Sequence, residues 1–298
     1  MHKVIIYRDQ LALNNLLNGI KAMNRRFSFS LLLLMLLPIV SFANGKILAT
    51  PGVSQVEGSG GGGLVPWAQL AGYATEDELA FSAFCTQANV KDFQLNSCGG
   101  QVNFYDRLEV SFVKQHFDVE PLSLTLSQDI LGLKLRLYGD LLYSTWPQLS
   151  VGIQQKSLRT ADVAFSLGAK DDTGTDFYLA ASKLHLGLLA GYNVLWNVSL
   201  RYTQANEMGL LGFSGPNGNG ALQTEMSVAV LFNKHIAVGT EYRHKPDNLG
   251  LKEDDWQDLF LAWFPNKYVN VTLAYLDLGT LAGLSDQKGW YLSLSGSY

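Results

Sequence analysis

The sequence predicts an all-β chain: a closed antiparallel transmembrane β-barrel of about 12 strands (range 10–14), with short periplasmic turns and long outer loops. Three observations carry this expectation. The first is composition: 47% of the 298 residues are hydrophobic yet only 16% are charged, against about 25% in ordinary soluble domains. No stretch after residue 43 approaches the roughly 18–20 apolar residues of a spanning helix, so the apolar residues are spread thinly, as alternating strands spread them. The second is a series of strand-length segments joined alternately by short and long connections. The third is the C-terminus, residues 290–298 (WYLSLSGSY). Trp290, Leu292, Leu294, Gly296 and Tyr298 lie on one side of a strand there, and Tyr291, Ser293, Ser295 and Ser297 on the other. A soluble β-sandwich or barrel is the alternative that this composition leaves.

The N-terminus reads as an export signal. Met23, Asn24, Arg25 and Arg26 open a basic region, a Leu-rich core follows over 29–40 (FSLLLLMLLPIV), and Ser41-Phe42-Ala43 places small residues for cleavage after Ala43. Residues 23–43 are therefore the expected signal peptide, and residues 1–22 an extension from an upstream start. Residues 1–43 hold five of the 22 basic and one of the 26 acidic residues, so the remainder is acidic, 17 against 25. No basic stripe is present, which argues against a nucleic-acid partner. Residues 44–63, with SGGGG at 59–63, read as a flexible periplasmic leader; the GK[ST] that a phosphate loop needs is absent. The barrel domain is assigned to 64–298, where 64–74 (LVPWAQLAGYA) fits either a short strand or a segment tucked against the lumen.

From residue 79 the candidate strands are 79–89, 93–103, 108–116, 131–143, 148–157, 174–185, 196–206, 221–232, 235–245, 255–264, 268–278 and 289–298. In the clearest, Leu131, Leu133, Leu135 and Leu137 oppose Lys134, Arg136, Tyr138 and Asp140. Tight connections fall at 105–107, 144–147, 233–234 and 265–267. Long ones fall at 117–130, 158–173, 207–220, 246–254 and 279–288, with 186–195 breaking the alternation. A turn at Lys91-Asp92 sets Cys85 opposite Cys98, and an exported chain permits a disulfide between them. Two unpaired small residues on the barrel wall is the competing arrangement. The C-terminal strand should pair with 79–89, its leucines towards lipid and its serines towards the lumen.

Taking polar faces as inward, the lumen-lining candidates are Lys134, Arg136, Asp140, Lys156, Arg201, Glu225, Glu241, Arg243 and Asp258. Five bases and four acids are nearly balanced, which suits either a cross-lumen ion-pair network or a weakly selective narrow channel. Trp146, Trp196, Tyr268 and Trp290 sit at strand ends, where interfacial aromatic girdles belong. Tyr298, Leu294 and Leu292 form the C-terminal insertion signal. His116 and His244 fall near outer rims and His185 and His235 near inner ones, none in a catalytic motif. Residues 171–176 (DDTGTD) carry carboxylates that suit Ca²⁺, but without EF-hand spacing a solvated turn is the simpler expectation. No cofactor and no metal is expected.

Several stretches together, GLKLRLYGD (132–140), WPQLSVGIQQ (146–155), GAKDDTGTDFYLAASK (168–183), NEMGLLGF (206–213), FPNK (264–267) and the terminal WYLSLSGSY, resemble the exported proteins of domain of unknown function 3034. The likeness runs from the GLVPWA stretch to the end of the chain. It implies a Gram-negative outer-membrane β-barrel and implies no activity, ligand or catalytic residue. The Cys85 and Cys98 pair is no part of it. The expected function is a narrow channel or transport component for small solutes. The alternatives are a structural or assembly barrel with a filled lumen and, further off, a barrel enzyme at the membrane surface. The expected partners are outer-membrane lipid, periplasmic chaperones and the barrel-insertion machinery.

Overall fold

Alternation in the sequence becomes twelve antiparallel strands in a closed ring. A computed structural model describes residues 46–298; the extension 1–22, the signal 23–43 and the cleavage site after Ala43 lie outside the described residues. The wall consists of β3 (Leu79–Val90), β4 (Phe93–Phe104), β5 (Leu108–Val119), β6 (Leu124–Tyr138), β7 (Gln148–Leu158) and β8 (Thr173–Leu189). It continues with β9 (Tyr192–Thr203), β10 (Ala221–Leu231), β11 (Ile236–Arg243), β12 (Trp256–Trp263), β13 (Val269–Asp277) and β14 (Lys288–Ser297). Each strand pairs with its neighbour in sequence, and β14 closes onto β3. Two short strands, β1 (Val53–Ser54) and β2 (Gly60–Gly61), pair with each other apart from the ring.

The seam is made as the C-terminal pattern requires. Leu294 pairs with Cys85 and Ser293 with Thr86, and Phe81 and Tyr298 exchange two backbone hydrogen bonds of 2.7 Å. Leu292 faces out while Ser293 and Ser295 are buried. The same polarity holds round the ring: Leu131, Leu133, Leu135 and Leu137 on β6, Val198 and Leu200 on β9, and Leu259 and Leu261 on β12 all face outward. A closed sheet with an apolar exterior leaves no edge unpaired and places carbon against carbon in a bilayer. The architecture is that of an outer-membrane β-barrel, which crosses the membrane with strands.

Three segments differ from expectation, each for a physical reason. Residues 117–130 are not a long loop, because β5 and β6 run on to a 3₁₀ turn at Glu120–Leu122. Phe117, Val119 and Leu126 turn inward there, and His116, Asp118, Thr125 and Ser127 outward. Polarity thus inverts above the lipid, and a rule that sends apolar faces outward loses the strand. A bulge between Arg136 and Tyr138 turns Tyr138 out of the inward row expected for it. Residues 186–195 are mostly strand, the end of β8 and the start of β9, and so form a hairpin projecting at the inner end.

Candidate functional site

The lumen is where the structure departs most from the sequence expectation. The stretch assigned as a flexible leader, with the ambiguous 64–74 behind it, is folded inside the barrel. All residues from 53 to 74 are buried. The segment enters at the end that carries the short turns, where Lys46 bonds Asp106 at 2.6 Å. It rises to a tip at Val56 and Glu57, where Val56 O accepts from Ser97 and Gln115, returns, and leaves as Thr75 precedes β3. We call residues 46–74 the plug.

Its glycines are there for contact. Gly61 has φ +134, and a Cβ on Gly62 would lie 1.8 Å from Glu241 Oε1. The Gly-rich run is therefore a close fit of backbone to wall. Because β1 and β2 hold only two residues each, most of the plug backbone lacks a sheet partner and needs others. The inward polar side chains supply them. Gln115 Nε2 donates to Val56 O (2.7 Å), Gln101 Nε2 to Gly58 O (2.8 Å) and Ser199 Oγ to Pro66 O (2.7 Å). Ser150 Oγ donates to Ala68 O (2.6 Å) and Asn103 Nδ2 to Ala71 O (3.0 Å). Residues that look in sequence like the lining of a water-filled pore act as hydrogen-bond partners for an inserted chain.

The charged candidates do the same with greater strength. Lys134 Nζ donates to Gly60 O (2.8 Å) and Gln69 O (2.7 Å), while Glu109 accepts from Gly60 N (3.0 Å) and Ala71 N (2.6 Å). Glu241 Oε2 accepts from Gly63 N (2.8 Å) and Leu64 N (2.6 Å); its other oxygen accepts from Ser227, which in turn accepts from Trp67 Nε1. Asp258 Oδ1 accepts the Glu241 backbone N–H at 2.9 Å.

At the tip the plug contributes a charge of its own. Glu57 bonds Lys156 and meets Arg243 at 2.7 Å and Arg201 at 3.5 Å. Asp176 lies 2.7 Å from Lys156 and 3.1 Å from Arg201, and Glu225 lies 2.7 Å from Arg201 and 3.3 Å from Arg243. All six side chains are nearly or wholly buried. The wall alone supplies three cations and two carboxylates, and Glu57 brings the cluster to neutrality. Asp176, expected in a solvated outer turn, is instead a member of this cluster.

Apolar packing completes the fit. Val56 and Leu64 sit in one cluster with Phe93, Leu95 and Phe117 of the wall and Met208 and Leu210 of an outer loop. Residues 205–215 of that loop are all buried and close over the tip. Lys245 holds the loop, lying 2.5 Å from Glu207 and 2.8 Å from Glu253. Burial, aided by the nearby Glu253 carboxylate, pushes Glu207 well above the usual carboxylate range in spite of Lys245. Two pockets between plug and wall have volumes of about 20 and 40 Å³, room for a water or two. A larger cavity of about 290 Å³ lies at the inner mouth between Lys46, Gln69, Arg136, Asp140 and Gln148. Partial burial raises Asp140, but the Tyr143 and Leu142 amides and then Arg136 hold it below its usual value.

The structure thus places Lys156, Arg201, Glu225 and Arg243 together around Glu57, Lys134 and Glu241 along the plug, and Arg136 and Asp140 at the mouth. Sequence reasoning missed Glu57, Glu109, Asp176, Glu207 and Lys245. Trp146, Tyr268 and Trp290 are outward and exposed, and Trp290 packs edge-on against Tyr275. Trp196 Nε1 donates to His185 Nε2 at 3.0 Å. His116 bonds Ser127, His235 bonds Phe264 O, and His244 meets Asp255 at 2.9 Å. Cys85 and Cys98 are joined by a disulfide across β3 and β4.

A family model described as a protein of unknown function (DUF3034) matches residues 50–295, which takes in the plug as well as the wall. No curated protein matches the chain. Among solved structures the chain is similar to the KdgM porin, with a TM-score of 0.46 and 9% identity over 73% of this chain and 99% of that one. It is also similar to the NanC porin (TM-score 0.46, 8% identity, 73% and 98%). A third is the outer membrane protein Omp33 of Acinetobacter baumannii (TM-score 0.42, 8% identity, 75% and 100%). These likenesses carry no residue, solute or state across to this chain.

Proposed function

The chain belongs to the DUF3034 family of proteins of unknown function, and for it we propose a Gram-negative outer-membrane barrel that is closed at rest and passes small solutes when the plug leaves the lumen. The observation that carries this reading is the placement of Glu57, one carboxylate on an inserted segment that neutralises a wall cluster otherwise in excess of cations. The wall around the plug is rich in Ser, Gln and Asn side chains, which can be hydrated once the segment withdraws. Delivery to the membrane would use periplasmic chaperones and an insertion machinery that reads Leu292, Leu294 and Tyr298.

A second reading, a permanently filled barrel with a structural or assembly role, is favoured by the apolar packing of Val56 and Leu64 against wall and loop. Planar-bilayer recording of the full chain separates the two. The expected record is a silent baseline with rare brief openings. A disulfide lock made by Ala68→Cys with Ser182→Cys, whose backbone N–H and hydroxyl lie 2.9 Å apart, should abolish the openings, and reduction should restore them. Steady conductance in the locked protein would overturn the plug reading. Silence in unlocked and plug-weakened variants alike would favour the filled barrel.

A further inference from the structure

The one connection that breaks the short–long alternation is the β8–β9 hairpin at the inner end. β7 stops pairing with β8 at Ser182, yet β8 runs on to Leu189 and turns back through Ala190 and Gly191, both at positive φ. Leu186, Leu188 and Leu189 are 64%, 63% and 54% exposed. All four other inner turns carry a charged residue, Arg107, Asp140, Lys234 or Lys267, whereas residues 185–192 (HLGLLAGY) hold no Asp, Glu, Lys or Arg. The nearest cation, Lys183, is drawn away from the surface to donate to Asp140 O and Ser144 O.

Side-chain polar groups at the base of the hairpin are paired within the protein. Trp196 donates to His185, and Asn193 Oδ1 accepts the Gly187 N–H at 3.0 Å. Leu184 N donates to Leu141 O at 2.9 Å, binding the ribbon to the turn that bears Tyr143 and Trp146, both well exposed. An exposed hairpin with few charged groups, apolar tips and neighbouring Tyr and Trp suits the lipid interface better than water. It is also continuous with the lipid-facing belt, since Val198 and Leu200 lie directly up the same strand. We propose that the β8–β9 hairpin is a lipid-anchored foot, whose three leucines enter the periplasmic leaflet beneath the barrel and fix its depth at this sector.

Site-directed spin labelling tests this directly. Both native cysteines are disulfide-bonded, so a Leu188→Cys variant of the full chain carries one reactive thiol. Reconstituted in phosphatidylethanolamine and phosphatidylglycerol vesicles, the label should be relaxed more by oxygen than by an aqueous nickel chelate. A label at Leu200→Cys in the belt should behave alike, and one at Leu122→Cys in an outer turn should show the reverse. Leu186→Cys serves as the second position, and heat-modifiable migration confirms that each labelled chain is folded. A label at Leu188 relaxed chiefly by the chelate would overturn the proposal, because the hairpin would then stand in water. A label shielded from both relaxants would also overturn it, because protein would then cover the tip.

Discussion

Replacing Glu57 by Gln should open the barrel. The side chain keeps its shape but loses the charge that faces Lys156, Arg201 and Arg243, all buried. Removing one partner of a buried ion pair costs about 3–5 kcal/mol, and the lower end applies here because an amide oxygen still accepts one bond from Arg243. At about 1.4 kcal/mol per factor of ten, a loss of about 3 kcal/mol raises the plug-out population roughly a hundredfold. Single-channel recording reads that number as open probability, provided heat-modifiable migration is unchanged. Adding Lys156→Met to Glu57→Gln leaves two cations and two carboxylates in the cluster and should recover at least about 1 kcal/mol, as neighbouring sites couple. An open probability for Glu57→Gln within threefold of the parent would refute the reasoning. So would a double variant that opens more than the single one.

Gly62→Ala should also weaken the plug, by about 1–3 kcal/mol for an overpacked site, since its new Cβ would meet Glu241 Oε1 and Trp67 Nε1; faster cleavage within 46–74 by an added protease checks this. Cys85→Ser with Cys98→Ser should lower the unfolding free energy read from urea titration by less than the about 3 kcal/mol of a 15-residue loop, because the register of β3 and β4 already fixes that hairpin; the conductance record should not change. The outer lid should respond to pH through Glu207, whose carboxyl is raised by burial and by Glu253. A raised acid contributes stability that is full below its unfolded value of about 4.5 and is lost as pH rises through the folded value. Amide protection in 205–215, with the intrinsic pH dependence of exchange divided out, should therefore be greater at acid than at alkaline pH, and Glu207→Gln should flatten the difference.

The barrel itself was legible because lipid imposes a strict rule on it. Where alternation holds to both ends of a strand, as in 79–89, 148–157 and 268–278, the sequence limits agree with the structure to within a residue or two, whereas the segment expected at 131–143 runs from Leu124 to Tyr138. Legibility failed where the rule stops. Above the lipid at Phe117, Val119 and Leu126, apolar side chains point inward and the strands looked like a loop. Below it, the end of β8 has apolar residues on both faces and no alternation to read.

The site was half legible for a related reason. Alternation alone assigned Lys134, Lys156, Arg201, Glu225, Glu241 and Arg243 to the lumen, and each is buried there. It could not reveal what they touch, since the plug has almost no regular structure and its Gly run has the composition of a linker. A signal was nevertheless present. The same parity that sends Arg243 inward sends Trp256, Phe260 and Phe93 inward as well. Large apolar side chains facing a water-filled channel would leave several hundred square ångströms of carbon exposed, at a cost of roughly 25 cal/mol per Å². A wall that carries both ionic groups and phenyl rings on its inner face therefore calls for something inside with matching patches. In this chain that partner is 46–74, where Glu57 meets the charges and Val56 and Leu64 meet the rings. Withdrawal of the plug would bare both at once, so the ionic tip and the apolar packing resist opening together, and weakening either should be enough to let the lumen fill with water.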